Sequence, residues 1–375
     1  MTKKIQRFLA ERRPQTPCLV LDLDVVADNY RKLKNAVPRA GIYYAVKANP
    51  APEVLTVLAQ LGSSFDIASV AEIDMALATG VGPERISYGN TIKKKTDIAA
   101  AFARGVRLYA FDAEAELDKL ADAAPGSRVF CRILTSGANA EWPLSRKFGC
   151  DVAMAKELLL KAAARNVVPY GVSFHVGSQQ RDPAEWDRAV AEAAWLFREL
   201  EQHGVELTML NIGGGFPTRY RKALPAMADY GKAIEESLHR HFGNRIPDVI
   251  VEPGRQIVGS AGVIQTEVVL ISKKSEADDR SWVYLDIGKF GGLAETMDEA
   301  IQYPIVSDRK GAPKRVVIAG PTCDSADILY EKADYRLPAD LAIGDKLEIR
   351  SAGAYTTTYS AVAFNGFEPL RSYCI

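Results

Sequence analysis

Short apolar runs and longer amphipathic stretches alternate along the first two thirds of the chain. The runs "IYYAVK" (42–47), "SFDIAS" (64–69), "RISYGN" (85–90), "RLYAFD" (107–112) and "RVFCRIL" (128–134) are rich in aromatic and β-branched residues, the composition of strands. Their starts lie about 21 or 22 residues apart, the length of one strand, one helix and two loops. Between them stand "PEVLTVLAQLG", "SVAEIDMALATG", "KKKTDIAAAFARG" and "AEAELDKLADAA", which read as helices burying one face. Three more strand-like runs follow at wider spacing, "YGVSFHVGS" (170–178), "LTMLNIGGGFP" (207–217) and "DVIVEPGR" (248–255), with long helical stretches between them.

Eight strand–helix units predict a (β/α)8 barrel. The alternative, a doubly wound open sheet, more often stops at about five to seven strands. After residue 255 the texture changes. "QIVGSAGVIQTEVVLISKK", "SWVYLDIG", "KRVVIAGP" and "DKLEIRSAG" are strand-like, with few helical stretches between them. The pattern therefore predicts an α/β chain with a barrel over 25–254 and a β domain over 255–375. The β domain also takes in residues 1–24, through the strand "CLVLDLD" (18–24).

Composition narrows the classes. The chain has 375 residues, 47% of them hydrophobic, enough for a large core. Its 47 Lys and Arg balance 47 Asp and Glu, so it lacks the basic footprint of a nucleic-acid binder. No apolar stretch reaches membrane-spanning length and the first residues lack the apolar core of a secretory signal. A cytoplasmic protein without membrane or nucleic-acid partners is expected. Cys18, Cys131, Cys150, Cys323 and Cys374 show no CxxC spacing, which suits free thiols and gives no metal pattern.

Barrels place chemistry at the C-terminal ends of their strands. Here those ends hold Lys47, Asp66, Asn90, Arg132, His175, Gly213, Gly214, Gly215 and Glu252. Lys47 closes an unusually apolar run, so it is expected to be buried at the barrel mouth. A desolvated lysine has a lowered pKa and becomes a Schiff-base nucleophile; a lysine at a strand end also commonly snorkels to water. Three glycines in "NIGGGFP" (211–217) make a plain flexible turn, or a cradle whose bare N–H groups approach a phosphate. In "EPGR" (252–255), Arg255 can grip that phosphate. Glu252 suits an ion pair, or the protonated nitrogen of a heterocycle. His175 suits the core, or the face of a planar ring, with Ser178 nearby as a phosphate donor. Lysine, glycine loop, arginine, carboxylate and flat imidazole together describe a site for pyridoxal 5′-phosphate (PLP).

The motifs "YYAVKANP", "FDIAS", "SFHVGSQ", "NIGGGFP", "EPGR", "GPTCDSAD" and "GAYTTTYSAVAFNGF" together resemble the fold-type III PLP-dependent decarboxylases of ornithine, lysine, arginine and diaminopimelate. "TCDSAD" and "AFNGF" are similar to the ornithine branch. The resemblance implies that Lys47 carries the cofactor, with Asp66 and Arg132 nearby. His175 covers the ring and Glu252 meets its nitrogen. Ser178, Gly213, Gly214, Gly215, Gly254, Arg255 and Tyr355 hold the phosphate. Cys323 manages the proton returned to Cα, and Asp324 binds the distal ammonium of a basic amino acid. Cys323 and Asp324 reach the partner's site, which implies a homodimer. Within "GGLAETMDEAIQYPI" (291–305), Asp298 matches the acidic residue at the substrate's far end; Glu299 follows it, and Met297 stands where eukaryotic relatives carry an aromatic residue.

The resulting expectation is decarboxylation of L-ornithine to putrescine in polyamine synthesis, or dual use of lysine and ornithine. Diaminopimelate would need a cation where Asp324 stands. A non-catalytic binding protein would not need Lys47, Glu252 and Cys323 together. A Schiff-base aldolase would not need the glycine loop, Glu252 and the β domain together.

Overall fold

The computed structural model describes residues 1–137, 140–142 and 147–375. The chain forms two compact units, one of Ala27–Pro217 with Leu224–Gln256, the other of Met1–Val26, Thr218–Ala223 and Ile257–Ile375.

The first unit is a closed barrel of eight parallel strands, as the periodicity predicts. They are Gly41–Ala45, Ser64–Ile67, Ile86–Tyr88, Leu108–Phe111, Arg128–Arg132, Val168–Ser173, Met209–Asn211 and Asp248–Val251. The last strand returns to the first through Ile250↔Gly41 and Val251↔Ile42. Helices on one side and barrel interior on the other explain why the strands read as continuous apolar runs. One interior cluster joins Leu108, Ala110, Phe130, Met209 and Ile250, with Tyr43 and Tyr170 against it. Gly171 is required where its strand meets the next, because a Cβ there would enter the carbonyl of Met209.

The outer helices follow their apolar stripes. Glu185–Gln202 buries Trp186, Ala189, Val190, Ala193, Ala194, Leu196 and Leu200, the three-and-four spacing of one helical face. Trp186 packs on Phe216 at 5.2 Å and edge-on to Tyr230 at 5.9 Å, and its indole N–H donates to the carbonyl of Ile212 at 3.2 Å. Removing such a buried indole costs about 3–5 kcal/mol. Helix starts are capped where the sequence offers an oxygen, as with Ser69 accepting from Glu72 N and Asp151 from Met154 N.

The second unit is an eight-stranded mixed sheet. Its long strand Gly262–Ser272 pairs with Ser281–Leu285, with Lys346–Arg350 and with Cys18–Leu21. Cys18–Leu21 also runs parallel to Arg371–Cys374, so both chain termini are sewn into this sheet. The segment before it forms the helix Lys3–Arg12, which buries Ile5 and Leu9 against Cys18, Val20 and Val263. Among the described residues, no helix is long and apolar enough to cross a membrane.

Two local expectations are corrected. The sixth barrel strand ends at Ser173 rather than continuing to 178. Gly177 takes a positive φ of 94°, which turns the chain out of the barrel strand's direction. Ser178–Gln180 instead pairs antiparallel with Ala140–Trp142. Lys47 is not buried: its side chain is 55% exposed. The first strand stops at Ala45, and a 3-10 turn over Val46–Ala48 lifts the lysine clear of the apolar run that precedes it.

Candidate active site

The C-terminal end of the barrel gathers the charged residues named from the sequence. Lys47 Nζ lies 3.8 Å from Oδ2 of Asp66, which projects from the second strand and is 4% exposed. The other oxygen of Asp66 is buried with no hydrogen-bond partner among the described residues. Gly89 makes room for it, since a Cβ at that position would overlap the carboxylate. Burial and then the nearby Glu252 push the Asp66 carboxyl well above the usual range, against the pull of Lys47 and Arg132.

Glu252 follows the eighth strand, where its backbone N–H donates to the carbonyl of Gly213 at 2.8 Å. Its carboxylate accepts from the side-chain amide of Asn211. The oxygen of that same amide accepts the N–H of Gly213 at 2.9 Å. Arg132 ends the fifth strand with its guanidinium 5.2 Å from the ring of Phe148. Burial lowers its pKa, while Glu252, Asp112 and Asp66 oppose that shift.

His175 stands in the turn after the sixth strand. Its Nδ1 accepts the N–H of Gly177 at 3.0 Å. Burial, then Arg132 and Lys47, push its pKa down to about 3. The imidazole is therefore neutral near pH 7, with its proton on Nε2. A Cβ on Gly214 would lie 3.2 Å from that Nε2 and 2.5 Å from the carbonyl of Glu252.

The glycine loop is a formed concavity. Gly213 and Gly215 have positive φ angles of 69° and 92°, and a Cβ on Gly215 would come 2.5 Å from the carbonyl of Gly177. The carbonyl of Gly215 accepts from Gln180 N at 2.9 Å. Beside the loop, Arg255, 4% exposed, donates to the hydroxyl of Ser178 at 3.2 Å. Gly254 precedes it and is buried.

These features fit PLP. Bare backbone and a buried arginine–serine pair suit a phosphate dianion. An amine beside the site suits an aldehyde, and an oriented carboxylate suits a ring nitrogen. The unpartnered oxygen of Asp66 is a buried acceptor awaiting a donor.

The other named residues belong to the second unit. Cys323 and Asp324 are exposed on a loop pinned by a buried carboxylate, Asp327. That side chain accepts from Lys289 N at 2.7 Å, Thr322 N at 3.2 Å and Thr322 Oγ1 at 2.7 Å. Cys323 N donates to Asn365 Oδ1 at 2.9 Å, and Asp324 Oδ1 accepts from Ala326 N at 2.8 Å. Asp298 is exposed; it and Tyr355 take positive φ angles of 52° and 61°. Met297 and Ala326 line one open depression of about 600 Å³ with Phe290 and Tyr359, so the Asp298 turn and the Cys323–Asp324 loop flank a common surface.

Asn211, Gly89 and Asp327 are additional residues that shape the surroundings of these side chains. Asn211 and Asp327 lie inside the motifs "NIGGGFP" and "TCDSAD", and a polar side chain at the end of an apolar strand was the signal for Asn211.

Residues 23–259 match the family described as pyridoxal-dependent decarboxylase, pyridoxal binding domain. The lysine/ornithine decarboxylase of Selenomonas ruminantium is 39% identical over 370 residues, which span 98% of this chain and 91% of that protein. The crystal structure of SrLDC in complex with PLP and cadaverine superposes with a TM-score of 0.90 at 37% identity, over 100% of this chain and 94% of that one. The arginine decarboxylase of Paramecium bursaria Chlorella virus gives 0.91 at 28% identity, over 100% of both chains. The chain belongs to the PLP-dependent decarboxylases of this barrel-plus-sheet fold. It is an amino-acid decarboxylase whose substrate is a basic amino acid and whose cofactor is PLP.

Proposed function

We propose that this enzyme converts L-ornithine to putrescine and CO2, serving polyamine synthesis. The reading rests on the exposed carboxylates Asp298 and Asp324 in the unit that also carries Cys323. A carboxylate is the natural partner of a distal ammonium. Use of lysine at the same site is the second reading, favoured by the dual activity named for the Selenomonas relative. Ornithine and lysine differ by one methylene, which a pocket discriminates by only about 1–3 kcal/mol.

PLP, when bound, would supply the electron sink for the pair left on Cα as CO2 departs. The chain's own residues do the rest. Lys47 would hold the cofactor's aldehyde carbon and give way to the substrate amine. Glu252, aimed by Asn211, would keep a proton on the ring nitrogen. Neutral His175 would cover the ring without adding a competing charge. Ser178, Gly213, Gly214, Gly215, Gly254, Arg255 and Tyr355 would anchor the phosphate, with Asp66 and Arg132 beside Lys47. Cys323 would return the proton to Cα, and Asp324 and Asp298 would bind the far ammonium.

A homodimer with shared sites belongs to the same reading. Tyr359, Val362, Phe364 and Phe367 are 57%, 84%, 36% and 46% exposed, an apolar group that self-association would cover. The test is incubation with PLP and, separately, ornithine, lysine, arginine and diaminopimelate, measuring CO2 and amine. Putrescine from ornithine in large excess supports the first reading. Comparable cadaverine supports the second, and absence of CO2 from all four refutes both.

A further inference from the structure

We infer that Glu299 is the positioning residue for Asp298, and through it a determinant of substrate length; this rests on the reading that Asp298 meets the distal ammonium. Strand Pro313–Ala319 pairs with Ile328–Pro338 through Val316↔Tyr335 and Ile318↔Tyr330. Val317 alone therefore faces residues 331–334, an enlarged bulge that frees N–H groups from the ladder. Three of them converge on one side chain. Glu299 Oε1 accepts from Glu331 N and Lys332 N, each at 2.7 Å, and Oε2 accepts from Ala333 N at 2.6 Å. Three backbone donors on one carboxylate form a charge-assisted anchor.

The anchor holds a turn that does not hold itself. Asp298 and Glu299 both lie in the left-handed region, with φ of 52° and 58°. Consecutive non-glycine residues persist there only where their surroundings over-determine them. Within the turn, Ala300 N donates to the carbonyl of Met297 at 3.1 Å, which closes it but does not place it on the sheet. Glu299 does. Both of its oxygens are engaged, so of the two adjacent acids Asp298 is the one left exposed toward ligand. The height of its carboxylate above the sheet follows from the Glu299 contacts.

The test uses the PLP-loaded full-length enzyme and the variants Glu299→Ala, Glu299→Gln and Asp298→Asn. For Glu299→Ala we expect KM for ornithine to rise about five- to tenfold and the ornithine-to-lysine ratio of kcat/KM to change about fivefold or more, on the scale of one misplaced methylene. The cofactor absorbance stays unchanged and kcat moves far less than KM. Glu299→Gln keeps the side-chain volume and one acceptor oxygen, so it folds and falls between the wild type and Glu299→Ala. Asp298→Asn separates the inference from its premise. If it leaves KM unchanged, the reading of Asp298 fails. If it raises KM while Glu299→Ala and Glu299→Gln, with wild-type melting temperatures, leave KM and the ratio unchanged, the positioning role alone is overturned. Should Glu299→Ala fail to fold, wild-type KM and ratio in Glu299→Gln overturn it.

Discussion

Asn211 donates its amide to the carboxylate of Glu252 and accepts the N–H of Gly213 at 2.9 Å with its oxygen. One fully buried residue thus fixes the acid and shapes the first residue of the glycine loop. Replacing it with alanine should weaken two functions at once. A lost charge-assisted bond is worth about 1.5–3 kcal/mol, so turnover and PLP affinity should each fall about 10- to 100-fold. Steady-state kinetics and PLP titration check this. A drop in melting temperature with both constants intact would make Asn211 merely structural.

Glu252 itself should matter for turnover rather than for substrate binding. In the proposed role its interaction with the ring nitrogen would strengthen as charge develops, and only such interactions raise kcat. Glu252→Ala should lower kcat about 100-fold or more while KM changes little. Near-normal turnover would remove Glu252 from the electron-sink role.

The barrel was legible because its signal is periodic: eight apolar runs separated by amphipathic helices leave few alternatives. The gathering of Asp66, Arg132, His175 and Glu252 at one end of the barrel was legible for the same reason. The exposure of Lys47 was not, because the 3-10 turn after Ala45 carries no composition that separates it from the strand. The resemblance singled out Asp298 of the Asp298–Glu299 pair, but the different settings of the two acids were not legible in the local sequence. What distinguishes them is a bulge at residues 331–334, distant in sequence. The partnership of Asn211 with Glu252 crosses two neighbouring strands, and its 41-residue separation leaves no local trace.

His175 gives a pH prediction. Its folded pKa is lowered to about 3 from an ordinary 6.5. Below 6.5 the unfolded chain takes up a proton that the folded protein refuses, so stability falls as pH drops from about 6.5 toward 3 and is unaffected above. Between pH 6.5 and 5 the loss is about 2 kcal/mol. Asp66 works in the opposite sense, since its raised pKa favours the folded, protonated form as pH falls. Comparing wild type with His175→Gln, both stripped of PLP, isolates the histidine. Melting temperature should fall more steeply from pH 7 to 5 in the wild type, and parallel curves would refute the neutral buried imidazole.

Gly214 tests the cradle. A Cβ there meets the backbone carbonyl of Glu252 at 2.5 Å, which no side-chain rotation relieves, and His175 Nε2 at 3.2 Å, which the ring relieves only by shifting. Gly214→Ala should destabilise the protein by about 1–3 kcal/mol. By displacing His175 and Glu252 it should also reduce PLP affinity more than tenfold, about 1.4 kcal/mol. Cofactor absorbance during titration reads the affinity. Wild-type affinity in this variant would place the phosphate elsewhere.

The proposed sharing of sites between subunits makes a prediction that no single variant can. Lys47 stands on the barrel and Cys323 on an exposed loop of the other unit, fixed by Asp327. If each site draws Lys47 from one subunit and Cys323 from its partner, Lys47→Ala and Cys323→Ala homodimers are both defective at every site. In a mixed dimer, one site collects both lesions and the other collects neither. Random reassociation makes half the dimers mixed, each with one intact site of two, so activity should recover to about a quarter of wild type. Mixing the purified variants after mild dissociation, with decarboxylation as the readout, checks this. Recovery of no activity from subunits shown to exchange would mean that each chain completes its own site.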